Sequence, residues 1–187
     1  MTPDVRRHDL THFRDVCSAD YPQCPPHPSS VRPDDWSALH EHYSDAECTR
    51  FTFGRALSEG ESWRAMASMI GHWQLRGYGP YAAVETATSS VVGTVGLWYP
   101  NDWPEPEIKW ALLRKFWGKG YAREAATVVQ RVALEHFDKP PISLIGAQNL
   151  PSIKLALSVG ACLEEQILFR GNPFHIYRHP GNASGDA

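Results

Sequence analysis

Apolar residues recur at spacings of three and four in four stretches of the chain. In six others they alternate or run together over a few residues, the marks of half-buried or buried strands. A first helix is predicted to run to about Tyr43, with Trp36, Leu39 and Tyr43 on one face and Asp34 and Asp35 placed to cap it. A longer helix follows Ser58, which has capping-box spacing to Glu61. Trp63, Met66, Ile70 and Trp73 form its expected apolar stripe, and Gly77 is its expected stop. Residues 81–85 and 91–98 read as a hairpin turned at Thr88, Ser89 and Ser90, and residues 107–113 as a further strand. After a glycine-containing loop, Ala122, Ala125, Ala126, Val129, Val132 and Ala133 line one face of a helix that ends near Phe137 and is stopped by Pro140 and Pro141. Residues 142–146 form a short strand. Asn149 caps a helix with Pro151 in its first turn and Gly160 at its end, and residues 162–169 and 174–178 are the last strands.

The order of these elements predicts one α+β domain on a mixed sheet. The domain is expected over residues 31–180. Tyr21-Pro-Gln-Cys-Pro-Pro-His-Pro cannot hold regular helix or strand, so residues 1–30 are expected to form a proline-rich arm. Residues 181–187 are expected to be a disordered tail. A length of 187 residues suits one domain with a sizeable core.

Charge and composition narrow the function classes. A formal net charge of −3 argues against general nucleic-acid binding, which needs a basic face. No apolar run approaches the ~18 residues of a membrane span, and the first residues lack an apolar signal core. A cytoplasmic protein with neither nucleic-acid nor membrane partners is the expectation. The four cysteines include no Cys-x-x-Cys pair, so reduced thiols are expected rather than a metal or redox site. His40 and His42 are two apart and do not share a helical face, so no metal is expected there.

The candidate chemistry centres on Lys115-Phe-Trp-Gly-Lys-Gly-Tyr-Ala122, between a strand and a helix. Gly118 and Gly120 allow a tight turn and close approach of a ligand to backbone. A helix start presents free N–H groups with partial positive charge, a natural diphosphate cradle. Arg114, Lys115, Lys119 and Arg123 add charge around it. The loop is neither a Walker A motif nor the dinucleotide fingerprint, and a lone Gly-x-Gly leaves the ligand open.

The same stretch resembles the coenzyme-A loop of the GNAT superfamily of N-acetyltransferases, with Lys115 where the pattern has Gln or Arg. Its wording, Trp-Gly-Lys-Gly-Tyr-Ala, is similar to the Rim-type branch, which resembles acetyltransferases of ribosomal-protein N-termini. Asp35-Trp-Ser-Ala-Leu, Gly71-His-Trp-Gln-Leu-Arg-Gly-Tyr-Gly, Gly93-Thr-Val-Gly-Leu, Trp103-Pro-Glu-Pro-Glu-Ile-Lys-Trp and Asn149-Leu-Pro-Ser follow in that branch's order, over roughly residues 31–178. Ahead of Arg32, the family's β-branched first strand is replaced by a proline-rich run.

The resemblance implies a GNAT-like domain: a mostly antiparallel, twisted sheet of six or seven strands with about four helices, and a splayed parallel pair holding the coenzyme. It implies acetyl-coenzyme A as co-substrate, an amine acceptor (small molecule or protein N-terminus), no metal, and compatibility with a homodimer. It assigns the backbone amides of Leu112 and Leu113 to pantetheine and acetyl oxygen. Arg114, Lys115, Phe116, Trp117, Gly118, Lys119, Gly120, Tyr121 and Ala122 it assigns to the coenzyme loop.

Acetyl transfer needs a neutral amine, a polarised thioester carbonyl and a thiolate that can leave. Glu107, at the start of the coenzyme strand, resembles the general base of some relatives; a solvated strand-end carboxylate is the alternative. Asn149 is both an N-cap and, by resemblance, a contact for pantetheine or acetyl. Ser152, one turn on, resembles a serine able to protonate the departing sulfur. The tyrosine acid of many relatives is replaced by Ala156, with Tyr177 a weak substitute. Trp73 is expected in the core and His175 at the surface. Two other readings keep the loop: a non-catalytic acyl-coenzyme A-binding module, and an unrelated nucleotide binder.

Overall fold

The computed structural model describes residues 30–181. The arm expected over residues 1–30 and the tail over 181–187 therefore lie, save for Ser30 and Gly181, outside the described residues. A 3-10 turn at Pro33–Asp35 leads into α1 (Trp36–Ser44), and a four-residue helix, α2 (Ala46–Thr49), follows; α2 has no counterpart in the periodicity. Asp45 caps it, its side chain accepting from Glu47 N.

Helix α3 (Glu59–Arg76) starts with the predicted capping box. Glu61 N donates to Ser58 Oγ at 3.4 Å and Ser58 N donates to Glu61 Oε2 at 2.9 Å. It stops at Gly77, whose φ of 74° is left-handed. Its buried face is Ser62, Met66, Met69, His72 and Trp73, while Trp63 is 57% exposed, so the predicted stripe is corrected. A period of 3.6 admits both 62-66-69-73 and 63-66-70-73, and hydrophobicity alone favours the wrong one. Ser62 tolerates burial because its hydroxyl donates to Ser58 O and meets His40 Nδ1.

Among the described residues the sheet has six strands: β1 (Pro80–Glu85), β2 (Ser90–Trp98), β3 (Glu107–Leu112), β4 (Ile142–Gly146), β5 (Cys162–Phe169) and β6 (Asn172–Arg178). Their order is β1-β2-β3-β4-β6-β5, with only β3 and β4 parallel. Ser30, the first described residue, makes an antiparallel bridge to Tyr81. Helix α4 (Tyr121–His136) connects β3 to β4, and α5 (Leu150–Ser158) follows β4. There are thus five α-helices among the described residues, one more than expected.

Tyr121, Ala125, Val129 and Ala133 of α4 pack on Val95, Leu97, Ile108 and Leu112. Complete burial of Val129 contributes on the order of 1.5–3 kcal/mol. Alternation sends Trp98 to the opposite face, where it meets the core of Val31, Leu39, Tyr43, Leu57, Met66 and Met69. No helix among the described residues is long and apolar enough to cross a membrane.

Candidate active site

Strands β3 and β4 pair in register only at Glu107 and Ile142, where Ile142 N donates to Pro106 O at 3.0 Å. Just beyond, side chains replace the backbone ladder. Leu144 N donates to Glu107 Oε2 at 3.0 Å, and Ser143 Oγ donates to Ile108 O at 2.7 Å. Past these bridges the strands part. Ser143 is fixed from behind: its one proton goes to Ile108 O, so His179 Nε2, at 2.9 Å, is the donor to it. His179 Nδ1 then accepts from Gln130 Nε2 at 2.8 Å. Burial holds His179 neutral, its pKa pushed down to about 4.

Glu107 is buried, not a solvated strand end. Its second oxygen accepts from Trp103 Nε1 at 2.8 Å. Burial pushes its pKa up to about 7, against the opposing pull of the Leu144 amide, Lys109 and Trp103. Lys109, next on the same face, is half-buried with its ammonium 4.5 Å from the centre of the Trp98 ring. Burial pulls its pKa down while Glu107 raises it. Trp103 and Ser143 escaped the sequence reading. Trp103 reaches Glu107 from an irregular loop that has no period, and the only signal for Ser143 is a hydroxyl in an otherwise apolar strand.

At the far end of β3, Leu113 N donates to Val92 O at 2.9 Å, so this amide is spent on the sheet and the expected ligand contact through it is corrected. Alternation along an antiparallel pair then turns the Trp110 and Leu112 amides away from β2, toward the splay. Leu112 O accepts from Trp117 Nε1 at 2.8 Å and from His42 Nδ1 at 3.2 Å. Burial holds His42 neutral, its pKa pushed down to about 4 against the opposing pull of the Leu112 carbonyl.

The loop turns through Gly118 (φ 71°) and Gly120 (φ 90°), both with open space where a side chain would start. Gly120 is the N-cap of α4, and no side chain caps that end. An end without a side-chain cap suits an anion, and an incoming phosphate could approach the two glycines without obstruction. Around it, Lys115 and Lys119 lie over Phe116, which packs edge-on against Tyr121. The Tyr121 side chain is buried and donates to Glu85, and Ala122 packs on the core. These two can therefore meet a ligand only through backbone. Arg114 and Lys115 do not surround the cradle as free cations: Arg114 Nε is 2.9 Å from Asp45 and Lys115 Nζ is 2.8 Å from Glu41. Among the described residues Lys119 and Arg123 carry no ion pair.

Asn149 caps α5 as expected, its Oδ1 accepting from Ser152 N at 3.3 Å. Ser152 Oγ accepts from Trp110 Nε1 at 3.1 Å across the splay, which leaves its own proton to give. Ala156 and Tyr177 are core residues around Ile145. Trp73 is core, as expected. His175 departs from expectation: it is partly buried and its Nδ1 has no partner among the described residues. Glu107, Asn149 and Ser152 line one cleft of about 760 Å³, which extends over the β2–β3 face to α1 and α3.

A family model of the GNAT acetyltransferase domain matches residues 29–161. The chain belongs to the GNAT acetyltransferase family. Among GNAT relatives, an uncharacterized N-acetyltransferase, p20, of Bacillus licheniformis is 30% identical over 132 residues, which is 67% of this chain and 72% of that protein. The acetyltransferase from Agrobacterium tumefaciens str. C58 has a similar fold, with a TM-score of 0.72 at 22% identity over 81% of this chain and 88% of that one. So does yncA of Salmonella typhimurium, solved with its cofactor acetyl-CoA, with a TM-score of 0.61 at 20% identity over 84% and 96%.

Proposed function

We propose that this GNAT protein is an acetyl-coenzyme A-dependent N-acetyltransferase acting on a primary amine, of a small molecule or a protein N-terminus, by direct attack in a ternary complex. Residues 31–180 carry the activity. The observation behind the reading is Glu107: a buried carboxylate, its pKa raised to about 7, lining the cleft where the strands part.

Acetyl-coenzyme A supplies the thioester. The Gly118–Gly120 turn, Lys119 and the amides of Tyr121 and Ala122 hold the diphosphate. Lys115 and Arg114 assist once released from Glu41 and Asp45, and Phe116 and Trp117 shape the loop. The Leu112 amide polarises the acetyl oxygen, a fixed donor that needs no reorganisation. Asn149 meets pantetheine through its side-chain amide. As the amine nitrogen bonds to carbon and the carbon–sulfur bond breaks, Glu107 takes the amine's proton, directly or through one water, and Ser152 passes a proton to sulfur while taking one from water, which Glu107 restores to solvent.

Thiol release with a panel of amines tests this. Amine-dependent release is expected. If coenzyme A binds yet no amine is turned over, a non-catalytic binding module becomes the better account.

A further inference from the structure

The acceptor end of the cleft has an unequal charge inventory. Among the described residues two carboxylates line it, Glu61 and Glu107, and both are engaged. Glu61 receives both arms of Arg55, at 2.9 and 2.6 Å, and caps α3 through Ser58. Glu107 is buried and held by Trp103 and the Leu144 amide. Four cations line the same cleft: Arg55, Arg64, Lys109 and Arg170. Arg55 is neutralised by Glu61, and Arg170 by Asp102, with Nε 3.0 Å from Oδ2. Among the described residues, Arg64 and Lys109 enter no ion pair.

The remaining wall is aromatic and topped by positive charge. Lys109 lies on the Trp98 ring, and the Arg170 guanidinium lies over Trp103 and Phe169, 4.9 and 5.1 Å from their centres. A polycationic amine entering here finds no spare carboxylate among the described residues for its second ammonium and meets Arg64 and Lys109, neither of them within an ion pair there. An amine whose carrier bears an anion finds the reverse, with flat apolar surface between.

We infer that the acceptor is a primary amine on a flat apolar carrier that also bears a carboxylate, and that Arg64 and Lys109 select it over polycationic amines. This rests on the acetyl-transfer reading above.

The test uses matched acceptors that differ in the carboxylate: phenylalanine against phenethylamine and tryptophan against tryptamine, with spermidine and an aminoglycoside as polycations. Two peptides differing only in Asp or Lys at the second position separate a free acid from an acidic chain terminus as the source of the anion. The acids, or the Asp peptide, should have the higher kcat/KM. Arg64→Gln and Lys109→Met should each cut the acid-to-decarboxylated ratio by roughly three- to tenfold, as expected for one lost charged contact in a half-exposed site. A retained coenzyme A-induced rise in Tm certifies that each variant is folded and its coenzyme site intact. Equal or faster turnover of spermidine, tryptamine and the Lys peptide, or a ratio unmoved in both variants, overturns the inference while leaving acetyl transfer standing. Absence of turnover with every amine fails the underlying reading itself.

Discussion

At the scale of single residues, the proposed mechanism turns on Glu107. An amine gives up its proton most readily to a base whose pKa lies near the working pH, and burial has moved Glu107 to about 7. Glu107→Gln keeps the shape and removes the basicity, so turnover should fall by on the order of 10²–10⁴-fold. The coenzyme A-induced rise in Tm should hardly change. The wild type should lose activity as pH drops through about 7, where Glu107 protonates, and the variant should lack that acid limb. Turnover within a few-fold of wild type at every pH would leave alignment of amine and thioester as the protein's main contribution. Glu107 was singled out by the family resemblance, as the carboxylate that opens the coenzyme strand. Its burial was not legible, because the groups that enclose it come from an irregular loop (Trp103) and from the next strand over (Leu144), and no local pattern connects them.

At the scale of elements, the strand–loop–helix unit from β3 to α4 carries the coenzyme prediction. Gly120 sits at φ 90° with open space around its Cα, so Gly120→Val strains the backbone by roughly 1–2 kcal/mol without colliding with the fold. The branched side chain would stand where a diphosphate approaches. The variant should fold, by circular dichroism, yet show no coenzyme A-induced rise in Tm; a normal rise would refute the loop assignment. The ion pair between Arg114 and Asp45 yields a second expectation. Asp45→Asn keeps the cap on α2, because the side-chain oxygen still accepts from Glu47 N, but frees Arg114. Coenzyme A should then bind a few-fold tighter by calorimetry, about the worth of one exposed pair, and the gain should shrink at high salt. An unchanged affinity would mean that Arg114 has no part in the site. Elements of this kind were legible where caps and stops bracket them, as at Ser58, Gly77 and Asn149. The inward face of α3 was not, since a satisfied serine took a buried place that Trp63 was expected to fill. Nor did any period announce α2, which is a single turn of helix. The parallel β3–β4 pair came from the family resemblance, because strand order is set by long-range packing.

At the scale of the whole molecule, two neutral histidines brace the wedge between β3 and β4, and this ties stability to pH. His42 holds Leu112 O and His179 holds Ser143, each with its pKa pushed down to about 4 from an ordinary 6.5. A depressed pKa means that the unfolded chain binds the proton first. Each histidine therefore contributes stability above pH 6.5 that is lost as pH falls toward 4. His72 acts in the same direction. Glu107 acts oppositely: its raised pKa gives stability that is present below pH 4.5 and lost as pH rises through about 7. Between pH 4.5 and 6.5 the unfolded state gains two protons at His42 and His179, and the native state gains one at Glu107. From these three groups the wild type should lose about 1.4 kcal/mol per pH unit on acidification. With the carboxylate removed in Glu107→Gln the slope should double to about 2.7 kcal/mol per unit. His42→Asn, which keeps a donor near the Nδ1 position, should lower the slope by one proton. Urea unfolding at half-unit steps of pH measures all three. A wild-type curve that is flat over this window, or an unchanged slope in Glu107→Gln, would mean that the wedge is solvated and its groups titrate normally. If the slopes hold, coenzyme A affinity should weaken with acid ahead of global unfolding, because protonation loosens the two strands between which the coenzyme is proposed to bind.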